Sequence, residues 1–194
     1  MRPATPADVD RASDTLAAAF ADYPFTRHTV SADHHADRLR AFQRIFVAEV
    51  GLPHGVVHVS DDVDAVAVWT TPRTDLAVLA ALGPRLTELA GDRAAAQASA
   101  EEAMGVHRPH EPAWFLGTVG VHPGSQGRGL GGAVVAEGLR AADAEGVPAF
   151  LETSLERNVR LYERLGFVTV AEYDLPDGGP RTWSMRRPAG GGSR

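Results

Sequence analysis

The stretch Gln126-Gly127-Arg128-Gly129-Leu130-Gly131 is the most informative part of this chain. It follows an apolar run over residues 114–121 and opens a segment whose pattern predicts a helix. A strand, a glycine-rich turn and a helix start bring backbone N–H groups to one point, where the positive end of the helix dipole also lies. Because glycines let a ligand approach the backbone closely, the stretch predicts a phosphate-binding loop.

Two other phosphate-binding loops do not fit. A P-loop requires Gly-Lys followed by Ser or Thr, whereas Gly131 is followed by Gly132 and Ala133. A dinucleotide-binding fingerprint belongs to a βαβ unit, with an acidic residue about twenty positions further on. The present loop instead lies well past the middle of the chain.

The composition indicates a globular protein with one domain. The chain has 194 residues, of which 44% are hydrophobic and 23% are charged, and these values are typical of a single domain with a sizeable core. The formal net charge of −6 disfavours general binding of nucleic acid. The absence of cysteine excludes disulfides, thiolate metal sites and a cysteine nucleophile.

Other patterns concern location and metal binding. No apolar run approaches the roughly 18 residues of a membrane span, and residues 1–6 lack the apolar core of a signal peptide. We therefore expect a cytoplasmic protein. The eight histidines are not spaced like metal ligands, since His34 and His35, for example, are adjacent and point apart on a helix. We expect no metal site.

The apolar periodicity predicts a mixed α/β fold. A first helix is expected to start within residues 6–10 and to end before Pro24, and others are expected over about 32–50, 129–145 and 158–165, with two more inside 75–104 that are broken at Gly83-Pro84 and Gly91. Strands are expected over 56–59, 65–70, 113–121 and 149–153, followed by a hairpin of 167–174 with 181–187. We expect a single domain over residues 1–187 and a disordered, glycine-rich tail over 188–194.

A second motif lies downstream of the loop. In Asn158-Val159-Arg160-Leu161-Tyr162 the asparagine and the tyrosine are four residues apart and share a helix face, and Gly166-Phe167 follows. With both motifs in this order and spacing, the sequence resembles the GNAT superfamily of acetyl-CoA-dependent N-acetyltransferases. The resemblance implies an α/β fold with a mixed, mostly antiparallel central sheet flanked by helices, in which two central strands splay apart.

The resemblance also implies where acetyl-CoA binds. Residues 126–131 would hold the pyrophosphate, and Arg128 either adds positive charge there or is an ordinary exposed arginine. Val119, Gly120 and Val121 would contact the cofactor through their backbone, with an N–H near Val119 as the oxyanion donor. Asn158 would hydrogen-bond the pantetheine arm, although it could also cap its own helix.

Acetyl transfer to an amine requires a proton donor and a proton acceptor. The resemblance places Tyr162 beside the thioester sulfur as general acid, and a phenol of pKa about 10 can protonate a thiolate whose conjugate acid is near 8.5. The alternative is an ordinary core tyrosine. Glu152, at the end of a buried strand, is the best-placed general base, because burial raises a carboxyl pKa. Three alternatives to this role of Glu152 stay open. It could be a structural acid paired with an arginine, a water relay could serve as base, or the reaction could use no strong base.

Over nearly the whole chain the sequence resembles, more narrowly, the puromycin N-acetyltransferase family. The segments that carry this likeness include Phe20-Ala21-Asp22-Tyr23-Pro24, Ala67-Val68-Trp69-Thr70-Thr71-Pro72, Glu111-Pro112-Ala113-Trp114-Phe115-Leu116 and Pro180-Arg181-Thr182-Trp183. The sequence departs from that family at its short N-terminal strand and over 31–50 and 73–105. The likeness implies acetylation of the free amino group of puromycin or a close analogue, and thereby antibiotic resistance, by a monomer or homodimer.

The resemblance implies an aromatic wall for the acceptor. We expect Tyr23, which lies in the loop ahead of Pro24, to line this pocket together with Phe46, Trp69 and Trp114, although some of these aromatics belong to the core. Two other functions stay open. One is an N-acetyltransferase for another small amine or a peptide N-terminus, and the other is a non-catalytic module that binds acyl-CoA.

Overall fold

A computed structural model describes residues 1–190 of the chain. These residues form a seven-stranded mixed sheet with helices packed on both faces. Of the predicted tail over 188–194, residues 191–194 lie outside the described part, and the backbone N–H of Gly190 donates to Asp143 Oδ1 at 2.9 Å. None of the described helices combines the length and the apolarity that a membrane crossing requires.

The elements follow the predicted order with two additions. The strands are β1 (Arg2–Pro3), β2 (Val56–Val59), β3 (Ala65–Thr70), β4 (Trp114–Val121), β5 (Ala149–Thr153), β6 (Val168–Asp174) and β7 (Arg181–Arg187). The α-helices are α1 (Val9–Phe20), α2 (Pro24–Thr29), α3 (His35–Ile45), α4 (Leu52–His54), α5 (Leu76–Ala90), α6 (Ala94–Gly105), α7 (Leu130–Glu145) and α8 (Glu156–Arg164). The predicted mixed sheet is confirmed, while α2 and the short α4 were not predicted.

The region rich in alanine and leucine contains two helices, as predicted, but the expected break at Gly83-Pro84 is wrong. Pro84 lies inside α5, and the helix ends only at Gly91, whose φ is +63°. The end of α5 is fixed by Arg38, whose guanidinium donates to the carbonyls of Glu88 and Leu89 at 3.0 and 3.2 Å. A proline inside a helix removes one backbone hydrogen bond, but the loss of this one bond at Pro84 does not end α5.

The central strands part where the resemblance implied a splay. The sheet order is β1-β2-β3-β4-β5-β7-β6, and β4 with β5 is its parallel pair. In the described chain, pairing between these two strands stops at Leu116 and Leu151, although β4 continues to Val121 and β5 to Thr153. A gap therefore opens between the carboxyl ends of two adjacent strands.

A bulge in β4 controls which side chains face each helical layer. Trp69 pairs with Leu116 but Val68 pairs with Thr118, so Gly117 is the extra residue. An extra residue reverses the alternation of side chains along a strand. Before the bulge Leu116 belongs to the core beneath α7; after it, Val119 packs into that same core.

The opposite face of β4 packs against α1 and α3. Thr118 Oγ1 donates to Gln43 Oε1 at 3.0 Å, and both side chains are buried. A Cβ added to Gly120 would lie 2.8 Å from Ala19 Cβ and 3.1 Å from Leu16 Cδ2. Glycine at this position therefore allows α1 to pack closely on the strand that borders the gap.

Candidate active site

The glycine loop, residues 126–131, contains two glycines with a left-handed backbone. Gly127 and Gly129 both have φ of +77°, a left-handed conformation that residues with a Cβ rarely adopt. Apart from the glycines themselves and their chain neighbours, no described atom lies within 4 Å of the position where a Cβ would stand at either residue. α7 begins at Leu130 directly after the loop, and the first N–H groups of a helix have no intrahelical partners. The loop therefore presents exposed backbone donors at the positive end of a helix dipole.

A buried serine joins the start of the loop to the β2–β3 turn. Ser125 Oγ donates to Asp64 Oδ2 at 2.5 Å, and Arg11 Nη2 donates to Asp64 Oδ1 at 2.6 Å. The His122 N–H also donates to the Asp64 carbonyl at 2.8 Å. The hydroxyl of Ser125 and the guanidinium of Arg11 lower the pKa of the Asp64 carboxyl, so it remains an acceptor at neutral pH. Nothing in the local sequence signals this anchor.

Replacing Asp64 by asparagine is expected to raise KM for acetyl-CoA roughly 3- to 10-fold with little change in kcat. The amide weakens the bonds from Ser125 and Arg11 and loosens the loop without touching the reacting atoms. Steady-state kinetics with acetyl-CoA as the varied substrate measures the effect. Asp62→Asn, in the same turn, is the matched control. Equal KM values for the two variants would show that Asp64 does not position the loop.

The gap between β4 and β5 exposes backbone rather than side chains. Val119, Gly120 and Val121 all lie in the part of β4 that β5 does not pair, so alternate N–H and C=O groups of this segment face the gap. The Gln126 side chain donates to the Val121 carbonyl at 3.1 Å and so ties the loop to the strand end. An extended ligand with amide groups can hydrogen-bond this open edge.

Tyr162 lies on α8 and is 4% exposed. Its ring packs edge-on against Phe167, with centroids 5.9 Å apart. Burial, with a smaller contribution from nearby Tyr23, raises the pKa of the Tyr162 hydroxyl. Among the described residues the hydroxyl has no hydrogen-bond partner, yet it is not one of the enclosed, unpartnered polar atoms. The hydroxyl is thus protonated and has no hydrogen bond to another described residue.

Tyr23 reaches the carboxyl end of β5 from the loop before α2. Its hydroxyl accepts from the Ser154 N–H at 2.6 Å and lies 3.1 Å from Thr153 Oγ1. Asn158 Nδ2 donates to the same Thr153 Oγ1 at 3.2 Å. Asn158 is the third residue of α8, which begins at Glu156, so the alternative that it caps its own helix is wrong. The side chains of Tyr23 and Asn158 thus meet at Thr153.

Glu152 is paired with an arginine. Arg108 donates to its carboxylate from Nη2 at 2.8 Å and from Nε at 3.2 and 3.3 Å. The Glu152 side chain is 8% exposed, and burial raises the pKa of its carboxyl while Arg108 opposes that rise. Arg108 also binds Glu101 at 3.0 Å and lies over the Phe115 ring. These contacts match one of the alternatives named in the sequence analysis, in which Glu152 is an acid paired with an arginine.

Comparison with known proteins agrees with this geometry. Residues 86–167 match the Acetyltransferase (GNAT) family. A solved structure from Corynebacterium glutamicum, described as histone acetyltransferase HPA2 and related acetyltransferase, superimposes with a TM-score of 0.74 and 29% identity, covering 97% of this chain and 94% of that one. Residues 86–167 are thus similar to the GNAT family, and the described chain shares the fold of that solved acetyltransferase. These matches indicate an enzyme of the acyltransferase class.

More distant or partial GNAT relatives differ in the acceptors that they are named for. Mycothiol acetyltransferase from Streptomyces scabiei is 43% identical over 82 residues, which are 39% of this chain and 26% of that protein. The chain thus spans about a quarter of the length of this curated relative. Arylalkylamine N-acetyltransferase 2 from Aedes aegypti has a TM-score of 0.63 at 13% identity, covering 97% of each chain, and shows the fold alone.

Two of the predicted acceptor residues are wrong. Trp69 and Trp114 are 0% and 1% exposed, and their rings pack together in the core beneath α7, with centroids 6.0 Å apart. Trp114 Nε1 donates to Glu145 Oε2 at 3.0 Å. Strand position alone did not show which sheet face these side chains occupy. Phe46 is half-buried beside Phe42, and its role in the pocket stays a prediction.

The structure adds residues that sequence reasoning missed. Arg108, which holds Glu152, comes from the segment after α6, 44 positions earlier in the chain. The Tyr173 ring stacks on the His107 ring, with centroids 4.2 Å apart, and the Tyr173 hydroxyl oxygen lies 3.0 Å from Ser184 Oγ. A pairing across 44 positions leaves no local signal. Within the described residues, no group of three possible metal ligands occurs.

Proposed function

We propose that this GNAT protein transfers the acetyl group of acetyl-CoA to a primary amine. The observation that carries the proposal is the parting of β4 and β5 at the same end of the sheet as the open glycine loop. Tyr162, with its unengaged hydroxyl, comes from α8, which directly follows β5. When bound, acetyl-CoA supplies the activated thioester.

The residues present fit that donor. The backbone of residues 126–131 would bind the pyrophosphate, because two left-handed glycines leave the space in front of the α7 N-terminus empty. The unpaired edge at Val119 and Val121 would hydrogen-bond the amides of the pantetheine arm. Asn158 would contact the same arm, and an N–H near Val119 would stabilise negative charge on the thioester oxygen.

We assign the proton donor to Tyr162. Its raised pKa keeps the proton on the phenol oxygen throughout the neutral range, so the group near the departing sulfur is always a hydrogen-bond donor. Donation would occur as negative charge develops on sulfur, and the phenolate left behind would take up a proton from water. Because the hydroxyl has no partner among the described residues, no existing bond has to break before it acts.

We assign the proton acceptor to Glu152. Burial raises the pKa of the Glu152 carboxyl, and the Arg108 ion pair opposes that rise; Tyr23 lies near enough to be influenced by the charge of Glu152. Burial favours the neutral acid and Arg108 favours the anion. In its ionised form, which the ion pair with Arg108 favours, Glu152 would take the amine proton directly or through a water molecule.

Glu152→Gln is expected to lower kcat about 10²-fold, because the amide cannot accept a proton. The acidic limb of the pH profile of kcat/KM should also disappear. Arg108→Gln is the companion variant, which is expected to move that limb to higher pH because the raising effect of burial is no longer opposed. If Glu152→Gln only lowers thermal stability and keeps the wild-type pH profile, the pair is structural and a water relay serves as base.

For the acceptor, we propose puromycin or a close aminonucleoside analogue. The likeness of the Tyr23 and Trp183 segments to the puromycin N-acetyltransferases supports this choice, and Tyr23 does lie beside the β5 end. The partial likeness to mycothiol acetyltransferase motivates a second candidate, another small amine. Both candidates use the same donor site and differ only in what the acceptor side accommodates.

Release of free thiol tests the function. Purified protein with acetyl-CoA is supplied with puromycin, an arylalkylamine, a simple alkylamine or a short peptide with a free N-terminus. The chain has no cysteine, so the protein adds no thiol background, and all its 19 basic residues are arginines, so it has no lysine to acetylate. Turnover highest with puromycin supports the first acceptor. Turnover with another amine alone replaces it, and binding without any turnover supports a non-catalytic acyl-CoA module.

A further inference from the structure

A buried glutamine on α3 has unused hydrogen-bond donors. Gln43 is 3% exposed and follows His35 and Leu39 at four-residue spacing on the buried side of the helix. Burying an amide costs free energy unless its polar atoms find partners. Gln43 Oε1 accepts from Thr118 Oγ1 at 3.0 Å. Within residues 1–190, however, Gln43 Nε2 makes no hydrogen bond, and it is not one of the enclosed, unpartnered polar atoms. Two side-chain N–H groups therefore remain for a ligand.

The partner of Gln43 lies on the strand that borders the gap. Thr118 belongs to the part of β4 that β5 does not pair, because pairing stops at Leu116. Its neighbour Gly117, the bulge residue, is exposed, so this part of the strand meets solvent. Its other neighbour is Val119, near which we place the N–H that stabilises the thioester oxygen. A group held by Gln43 would thus lie close to the reacting atoms.

The proposed proton acceptor lies on the same face of the sheet. Leu151 packs into the core beneath α7, and successive side chains of a strand point to opposite faces. Glu152 therefore points to the face away from α7, which is also the face on which Thr118 meets α3. Glu152 comes from β5 and Gln43 lies beside β4, so an N–H donor and a carboxylate flank the gap on one face.

We propose that Gln43 donates a hydrogen bond to a carbonyl oxygen next to the amine of the acceptor. The inference rests on the proposed function and specifies its substrate class, which is an α-aminoacyl compound such as an amino acid amide or a peptide N-terminus. An N–H group needs an acceptor atom, and a protonated amine offers none. In an α-aminoacyl group only one carbon separates the amine from the carbonyl, so one ligand can direct its nitrogen to Glu152 and its oxygen to Gln43.

This arrangement would select against simple amines. The Thr118 hydroxyl fixes the amide of Gln43 before any ligand arrives, and a donor that is already oriented loses little entropy on binding. An alkylamine or arylalkylamine without the carbonyl would exclude water from the N–H groups and give them no partner, which weakens binding. Puromycin carries the carbonyl and belongs to the favoured class.

The test compares phenylalaninamide with 2-phenylethylamine, which has the same ring and a primary amine but lacks the carboxamide. The two amines differ in basicity, so the quantity measured is the change that a variant makes in the ratio of their kcat/KM values. Gln43→Met keeps a side chain of similar length without an N–H group. It is expected to lower the ratio of phenylalaninamide to 2-phenylethylamine about 5- to 10-fold, the size of one hydrogen bond.

Two further variants separate this effect from a general loss of folding. Gln43→Glu still accepts from Thr118 but has no N–H group, so it should lower the ratio as Gln43→Met does without breaking the buried pair. Thr118→Ser is the matched control, because it changes the same contact and keeps the hydroxyl that holds Gln43. Its ratio should equal that of the wild-type protein.

The outcomes distinguish the inference from the function beneath it. An unchanged ratio in both Gln43 variants overturns the inference, whether turnover stays normal or falls equally with both amines, because Gln43 then has no part in recognising the acceptor. A wild-type protein that acetylates 2-phenylethylamine but not phenylalaninamide overturns it as well. Absence of thiol release with every amine, puromycin included, refutes the proposed function itself.

Discussion

Replacing Tyr162 by phenylalanine is expected to lower kcat by about 10²- to 10³-fold while leaving Kd for coenzyme A unchanged, as loss of a general acid does. The hydroxyl has no partner among the described residues, so its removal leaves no unsatisfied group in the protein. The aromatic ring still packs on Phe167. Folding should therefore be nearly unaffected, and the loss should fall on the chemical step.

Steady-state kinetics, isothermal titration with coenzyme A and a thermal melt together measure this variant. Tyr173→Phe is the matched control, because it also removes one phenol oxygen, in that case one that contacts Ser184. Its kcat should stay close to wild type. An unchanged kcat for Tyr162→Phe, or equal losses in the two variants, would show that Tyr162 is an ordinary core tyrosine.

Gly138→Ala is expected to destabilise the fold by about 2–3 kcal/mol, the usual cost of overpacking a core. Gly138 lies in α7, where an added Cβ would overlap Nε1 and Cε2 of the Trp69 indole. That indole is 0% exposed and is a rigid ring held against Trp114, so it cannot yield as a flexible chain would. The midpoint of thermal unfolding should fall by roughly 5–10 °C.

Gly132→Ala gives the matched comparison, since it is the same substitution in the same helix. Its Cβ would meet only Leu161 Cδ1, at an ordinary contact distance of 3.7 Å. Alanine is favoured over glycine in a helix by about 1 kcal/mol, so this variant should be slightly more stable than wild type. If the midpoint of thermal unfolding falls for Gly138→Ala and rises for Gly132→Ala, the packing argument is supported. Similar shifts in the two variants would contradict it.

The sequence predicted those features that depend on local pattern. The glycine loop, the helix that follows it and the shared face of Asn158 and Tyr162 are recognisable because backbone conformation and helical spacing leave their mark within a few residues. The predicted mixed sheet and its splay follow from the family resemblance that these motifs carry. The structure confirms this fold, while the catalytic roles remain proposals.

Features that depend on long-range contacts were not predictable. The pairing of Glu152 with Arg108 and the anchoring of Ser125 by Asp64 join segments that are far apart in the chain. The bulge at Gly117 reverses the faces of β4, and a single inserted residue cannot be recognised from apolar alternation. For the same reason, the burial of Trp69 beneath α7 could not be distinguished from a position in the acceptor pocket.

The gap between β4 and β5 makes the two halves of the site differ in how they tolerate change. On the donor side, recognition through main-chain groups leaves the side chains of Val119 and Val121 free to vary, provided that they fill the core beneath α7. On the proposed acceptor side, Tyr23 and Arg108 make their contacts through side-chain atoms. Under the proposed roles, mutation can redirect the protein to new amines without disturbing its use of a single acyl donor, so the scaffold is suited to evolutionary diversification.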